Sequence, residues 1–186
     1  MTLIEKPVPN RAGWFARDNG SLRSPWGNII WGSPNPSDHM NFWAGTCFQY
    51  IHIWIASAFV TNPRPDIFVE VDHIDGNPQN NKPSNLRFLT HQLNMMNQNN
   101  ALNCAFVTKL WNKKAHKWYY VNKWHARATV QGKQTHLGYY TTFLEGHRAA
   151  KTFKQVEFER ICQEYLKGVK CDAETLLKYF TTDGCP

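Results

Sequence analysis

This 186-residue sequence predicts an α+β protein of more than one module, and three observations predict it. Residues 67–74 and 117–140 alternate apolar and polar side chains with the period of a half-buried strand. Residues 144–165 instead space Ala150, Phe153, Val156, Ile161 and Tyr165 three to five positions apart, as one face of a helix does. The first 48 residues hold only short strand-like pieces, such as Asn28–Trp31, between turn signals at Pro25, Gly27, Gly32, Pro34 and Pro36. Hydrophobic residues make up 42% of the chain and aromatics 14%, enough for packed cores and too much for wholesale disorder.

Residues 50–60 (YIHIWIASAFV) are apolar nearly throughout and stop at Asn62-Pro63-Arg64-Pro65. A helix or a buried strand fits, because a short apolar run looks alike in both. Ile67–Ile74 reads as a strand, Asp75-Gly76-Asn77-Pro78 as a turn, the stretch to Ser84 as a loop and Leu86–Leu89 as a second strand. Thr90 is placed to cap a short helix that turns Leu93 and Met96 to one face. Residues 101–116 read as a linker or as the first strand of a new module. In the strand that follows, Trp124, Ala126, Ala128 and Val130 share one face, and His125, Arg127 and Thr129 the other. Gln131-Gly132-Lys133 turns the chain and Gln134–Tyr140 returns. Gly168 ends the long helix, and Asp172 caps a last short one through Phe180. No internal repeat is visible.

Twenty-one Lys and Arg against 14 Asp and Glu give a net charge of +7. Its distribution says more than its sum. Between Gly76 and Leu144 there is no acidic residue, while Lys82, Arg87, Lys109, Lys113, Lys114, Lys117, Lys123, Arg127 and Lys133 fall there among Trp and Tyr. One sign of charge over so long a window suits a polyanionic partner; the bland alternative is a solvated basic face. No run approaches the ~18 apolar residues of a membrane span, so no membrane role is expected. The opening residues lack the layout of a secretion signal, and a soluble, cytoplasmic protein is expected. Cys47, Cys104, Cys162, Cys171 and Cys185 are odd in number and have no C-x-x-C pair, which argues against a disulfide framework or a zinc site.

Hydrolysis of a phosphodiester needs a base for water, a hard cation at the phosphate and basic residues on the backbone. His73 is the candidate base, and Asp72 beside it the candidate carboxylate ligand. Neighbours in a strand point to opposite faces, so these two converge only where the strand bends, and Asp75-Gly76 marks such an end. Asn94 adds a carbonyl oxygen from the following helix. Oxygen donors without a thiolate or a His pair suit Mg²⁺ or Mn²⁺ better than zinc. Asp75 reads as a turn former, His91 as a helix-start histidine, Asn77, Asn80 and Asn81 as partners of loop backbone, and Met95 and Met96 as packing.

The ordered string Asp72-His73-Ile74-Asp75-Gly76-Asn77-Pro78, Asn80-Asn81, Ser84-Asn85-Leu86-Arg87, Thr90-His91 and Asn94 resembles the HNH endonuclease motif, the ββα-metal (His-Me) finger. It is similar to the subtype common in phage homing and nicking endonucleases, and Ile51–Phe59 with Asn62-Pro63 resembles the segment that precedes that motif. The resemblance implies Asp72 and Asn94 as metal ligands, His73 as general base and Asn85 as a structural clamp on the loop. It also implies one divalent cation per site, Mg²⁺ or Mn²⁺, double-stranded DNA as partner, and products with 5′-phosphate and 3′-hydroxyl ends.

Farther on, Lys117-Trp118, Lys123-Trp124-His125-Ala126-Arg127-Ala128, Gly132-Lys133, His136-Leu137-Gly138-Tyr139-Tyr140, Thr142 and Ala149-Ala150 resemble the AP2 DNA-binding domain. That implies a three-stranded antiparallel sheet backed by a helix, with the open sheet face on DNA. The expected DNA contacts are Arg87, Lys123, His125, Arg127, Thr129, Lys133, Gln134 and His136, with Arg127 the best base reader because a bidentate Arg–guanine pair is the commonest specific contact. The expected modules are a β-rich segment at 1–48, the nuclease module at 49–103 and the AP2-like module with extra helices at 104–186. One site per chain favours a nick. A dimer cutting both strands, or a non-catalytic DNA-binding regulator on the same scaffold, are the alternatives, and monomer or homodimer stays open.

Overall fold

The computed structural model describes residues 3–97 and 104–180. The chain divides into two compact units, residues 1–97 with 166–186, and residues 98–165.

The first unit opens with small antiparallel sheets. β1 (Glu5–Pro7), β2 (Phe15–Arg17), β3 (Leu22–Arg23) and β4 (Ile29–Ile30) pair in sequence order, and β5 (Ser33–Pro34), β6 (Met40–Trp43) and β7 (Phe48–Tyr50) form a second meander. The apolar run at 50–60 is a helix, α1 (Ile51–Phe59). Its Ile51, Trp54, Ile55 and Ala56 are buried with Val8, Ala16, Leu22, Phe42 and Leu86, so the helix is the core on which both sheets rest. Trp14, Phe42 and Trp54 meet within 4.9–5.3 Å between ring centroids, which makes Trp14 a core residue. Trp26 stays exposed, and Arg17 and Arg23 pair with Glu5.

β8 (Glu70–His73) and β9 (Leu86–Leu89) form an antiparallel pair joined by a long loop that ends in a 3-10 turn at Pro83–Asn85. The strand expected to start at Ile67 starts at Glu70, because the Ile67 and Phe68 N–H groups both donate to the Arg64 carbonyl and close a turn there. The Thr90 hydroxyl accepts the Leu93 N–H and caps α2 (His91–Asn97). Asp172 caps α4 (Ala173–Phe180) in the same way, receiving the Thr175 N–H at 2.7 Å. Residues beyond 166 were expected with the C-terminal module, yet α4 packs in the first unit. Tyr179 stacks on Phe68 and donates its hydroxyl to the Phe88 carbonyl, and Lys178 Nζ donates to the Pro83 and Leu86 carbonyls.

The second unit is a sheet of β10 (Cys104–Asn112), β11 (Lys117–Val130) and β12 (Lys133–Tyr140), followed by α3 (Phe143–Leu166). Gln131 and Gly132 both have positive φ, the two-residue turn that suits strand twist. Gly138, at φ 126°, sits where the β11–β12 register shifts between Ala126 and Arg127. Ala126, Ala128 and Val130 are buried, and a side chain on Gly146 of α3 would collide with Cys104 Sγ, so helix and sheet touch through small residues. Val156, expected on the inner face of α3, is exposed; the buried stripe runs through Ala150, Phe158, Ile161, Cys162 and Leu166. Among the described residues no cysteine is bonded to another, and Cys185 lies outside them. No helix among them is long and apolar enough to cross a membrane.

Candidate active site

The long loop between β8 and β9 is tied down by amides and one carboxylate. Asn85 Oδ1 accepts the Asp75 N–H, and its Nδ2 donates to Asp75 Oδ1 and to the Asn80 carbonyl. Its own carbonyl accepts the Ile74 N–H. Asn80 Nδ2 donates to the other Asp75 oxygen at 2.7 Å. Burial pushes the Asp75 carboxyl up, but the hydrogen bonds from Asn80, the Asn77 N–H and Asn85 outweigh it and hold it below the ordinary carboxylate range. Asn85 thus closes the loop onto the end of β8, where His73 stands.

The two side chains that end β8 face opposite ways, as strand neighbours must. His73 is buried, and its Nε2 lies 3.1 Å from Asn81 Oδ1. An amide oxygen there calls for the hydrogen on Nε2, which leaves the lone pair on Nδ1. Burial lowers the His73 pKa below its ordinary value; the Asn81 bond pulls the other way.

Two further histidines, from distant parts of the sequence, crowd the same imidazole. The rings of His52 and His39 lie 5.0 and 5.7 Å from that of His73. His52 comes from the first turn of α1, is buried, and has its pKa lowered to about 3, first by burial and then by the charges of His73 and His39. Its Nδ1 is buried without a hydrogen-bond partner. His39 sits on the turn between β5 and β6, where its Nδ1 donates to the Ser37 carbonyl at 3.0 Å. The motif that marks His73 is contiguous and contains neither His39 nor any sign of its approach. His52 lies in the apolar run, and only its polarity there was a signal.

On the other face, Asp72 is buried and paired with its cross-strand neighbour Arg87 at 2.8 Å. Arg87 was expected among the DNA contacts. Instead its side chain is 5% exposed and its guanidinium also donates to the Lys178 carbonyl of α4, so it belongs to the interior of this unit. Asn97 Nδ2 lies 3.0 and 3.1 Å from the two Asp72 oxygens and 2.9 Å from the His73 carbonyl. Burial pushes the Asp72 carboxyl up, against the pull of Arg87 and Asn97. Asn94, expected beside Asp72, donates instead to Glu70 Oε2, two residues earlier on the strand. Residues 94 and 97 share one helix face, and 70 and 72 one strand face, so α2 lays its two amides on two successive carboxylates. His91 also bonds Glu70.

The oxygens gathered along β8 are the Asp72 and Glu70 carboxylates and the His73 carbonyl, with the Asn97 and Asn94 amides turned to them through Nδ2. No group of three or more His, Cys, Asp or Glu able to hold an ion occurs among the described residues. Such a set fits a hard, largely hydrated cation held by few protein oxygens, as Mg²⁺ and Mn²⁺ are, and not a thiolate- or imidazole-bound metal.

In the second unit, the sheet face turned away from Ala126 and Ala128 is polar. Lys123, Arg127, Thr129, Lys133, Gln134 and His136 are exposed on or beside it, with His125 half-buried among them. His125 Nε2 meets His136 Nδ1 at 2.6 Å, and the His125 ring stacks on Tyr139. Burial first, and the nearby His136 and Arg127 charges next, lower the His125 pKa.

Compared with known proteins, residues 49–96, the stretch that carries His73, Asp72, Asn85 and Asn94, match a family model described as HNH endonuclease. A solved structure titled "DNA binding and cleavage by the HNH homing endonuclease I-HmuI" is similar to the chain at 22% identity, with a TM-score of 0.41. The likeness covers 52% of this chain and 57% of that one, so the chain spans little more than half of that protein's length. No curated protein matches the chain.

Proposed function

We propose that the chain is a metal-dependent DNA endonuclease that hydrolyses a phosphodiester bond beside His73 and, with one such site per chain, nicks one strand per binding event. The observation that carries this reading is the imidazole itself. His73 is buried, held through Nε2 by Asn81, and stands at a strand end clamped by Asn85, inside the stretch matched to HNH endonucleases. A neutral imidazole so fixed offers Nδ1 to one proton of a water. The water oxygen then bonds to phosphorus, the bond to the 3′ oxygen breaks, and that oxygen leaves to take a proton from solvent. Asp72, with Asn97 beside it and Asn94 one turn earlier on the same face of α2, would hold the divalent cation, which supplies charge stabilisation at the phosphate and the leaving oxygen when bound. Asn85 keeps the loop closed so that Asn81 keeps the imidazole in one tautomer.

In this reading residues 49–103 carry the chemistry. The sheet at 104–140 is an AP2-like reading surface, with Arg127 on base edges and Lys123, His125, Thr129, Lys133, Gln134 and His136 on DNA around it. The β-rich 1–48 segment completes the nuclease core and contributes His39. Supercoiled plasmid with Mg²⁺ or Mn²⁺ tests it: the wild type converts it to open circle and His73→Ala does not. Equal rates in the two proteins would overturn the assignment of the base.

A further inference from the structure

β12 pairs with β11 only from Trp124 onward, so the rest of the β10–β11 hairpin runs on as a ribbon of two strands. A register shift between Val107 and Lys109, with Asn122 at φ 45°, separates this ribbon from the sheet. Its register is Lys109 to Tyr120, Leu110 to Tyr119, Trp111 to Trp118 and Asn112 to Lys117. At the tip, Asn112 Oδ1 accepts the N–H groups of Lys114 and Ala115 and holds a tight turn.

Opposed residues share a face in an antiparallel pair, and every second residue returns to it. One face of the ribbon therefore carries Lys109, Trp111, Trp118 and Tyr120. The two indoles meet edge to face at 5.4 Å, and Lys109 Nζ lies 5.6 Å over Trp118. That cross-strand pair staples the ribbon, but stapling does not account for the exposure of the rings. Trp111 is 44% exposed, Trp118 59% and Tyr120 81%. Three open rings on one flat face are a contact surface rather than scattered apolar residues.

The charge around them selects the partner. Lys113, Lys114 and Lys117 ring the tip, Lys109 lies among the rings, and no acidic residue occurs from 77 to 144. Aromatic faces interleaved with lysine match a polyanion whose repeating unit has a π-face, which is a polynucleotide with its bases accessible. We propose that the ribbon at 109–120 is a binding site for unpaired bases of DNA, which stack on Tyr120 and Trp118 while the tip lysines hold phosphates. This rests on the reading of the chain as acting on DNA, and adds a site separate from the polar sheet face around Arg127.

The test uses the full chain in EDTA, so that no cleavage intervenes, with fluorescein-labelled oligothymidylate read by anisotropy. Tyr120 is too exposed for the fold to need it, so Tyr120→Ser leaves circular dichroism unchanged and lowers affinity by about five- to a hundred-fold, the loss of one stacked base. The triple variant Lys113→Gln, Lys114→Gln, Lys117→Gln lowers the slope of log affinity against log salt by about 2, near 0.7 per phosphate contact. Trp118→Leu repeats the loss of affinity. Unchanged affinity in Tyr120→Ser and in the lysine variant, with plasmid still nicked by the wild type, overturns the ribbon site and leaves the nuclease reading intact. Polyglutamate bound as tightly as oligothymidylate assigns the face to an acidic protein and overturns it too. A wild type that neither binds nor cuts DNA overturns both.

Discussion

Arg87→Ala separates two views of one residue. If Arg87 is an internal partner of Asp72, removing it leaves a carboxylate buried beside α2 with only the Asn97 amide for company. Breaking such a pair costs about 3–5 kcal/mol. The bond from its guanidinium to the Lys178 carbonyl adds about 1 kcal/mol, since α4 is held to β9 in part through it. The sum is a large share of the roughly 5–15 kcal/mol that holds a domain together. Urea unfolding followed by tryptophan emission, in metal-free buffer, will show a midpoint far below that of the wild type. Arg87→Met with Asp72→Asn will recover most of the loss, because neither member is then a charge without a partner. If Arg87 instead contacts phosphates, the midpoint stays put and DNA affinity falls with a shallower salt dependence. A stability loss under about 1 kcal/mol in Arg87→Ala would refute the argument from burial.

Three further outcomes follow from the same geometry. His52 has its pKa lowered to about 3 when folded and an ordinary value of 6.5 when unfolded, so only the unfolded chain takes up its proton between those limits. Its contribution is whole above about pH 6.5 and is lost as pH falls towards 3, by about 5 kcal/mol in all, and urea midpoints of His52→Phe will fall less steeply with acid than those of the wild type. Asn97→Ala, which strips the amide nearest Asp72, will raise the Mg²⁺ concentration needed for nicking by more than Asn94→Ala does; the reverse order in a metal titration would return Asn94 to the first place. Arg127→Ala will blunt the choice among cleavage sites in a randomised DNA pool while metal-dependent nicking persists, and loss of all nicking with DNA binding intact would contradict that division of labour.

Much of this protein was readable in the sequence wherever structure depends on near neighbours. The alternation in β11 assigns its two faces without help, because side chains in a strand have no other choice. Thr90 and Asp172 cap helices through bonds to N–H groups three residues on. The Asp75, Asn80 and Asn85 cage is built by residues within ten positions of one another, so the loop around His73 is a local object. What sequence alone left undecided is what approaches that loop from afar. Residues 51–59 could equally have been a strand until the two small sheets offered a helix a surface to cover. His39 reaches His73 only because the β5–β6 turn folds over α1. Arg87 reads as a surface cation until α4, some ninety residues later, closes over it. Asn97 and not Asn94 meets Asp72 because the axis of α2 crosses β8 at a particular height, which no spacing rule contains. Periodicity and capping are written residue by residue, whereas the docking of one element on another depends on the summed shape and polarity of two surfaces, and it is that sum which chose the company His73 and Asp72 keep.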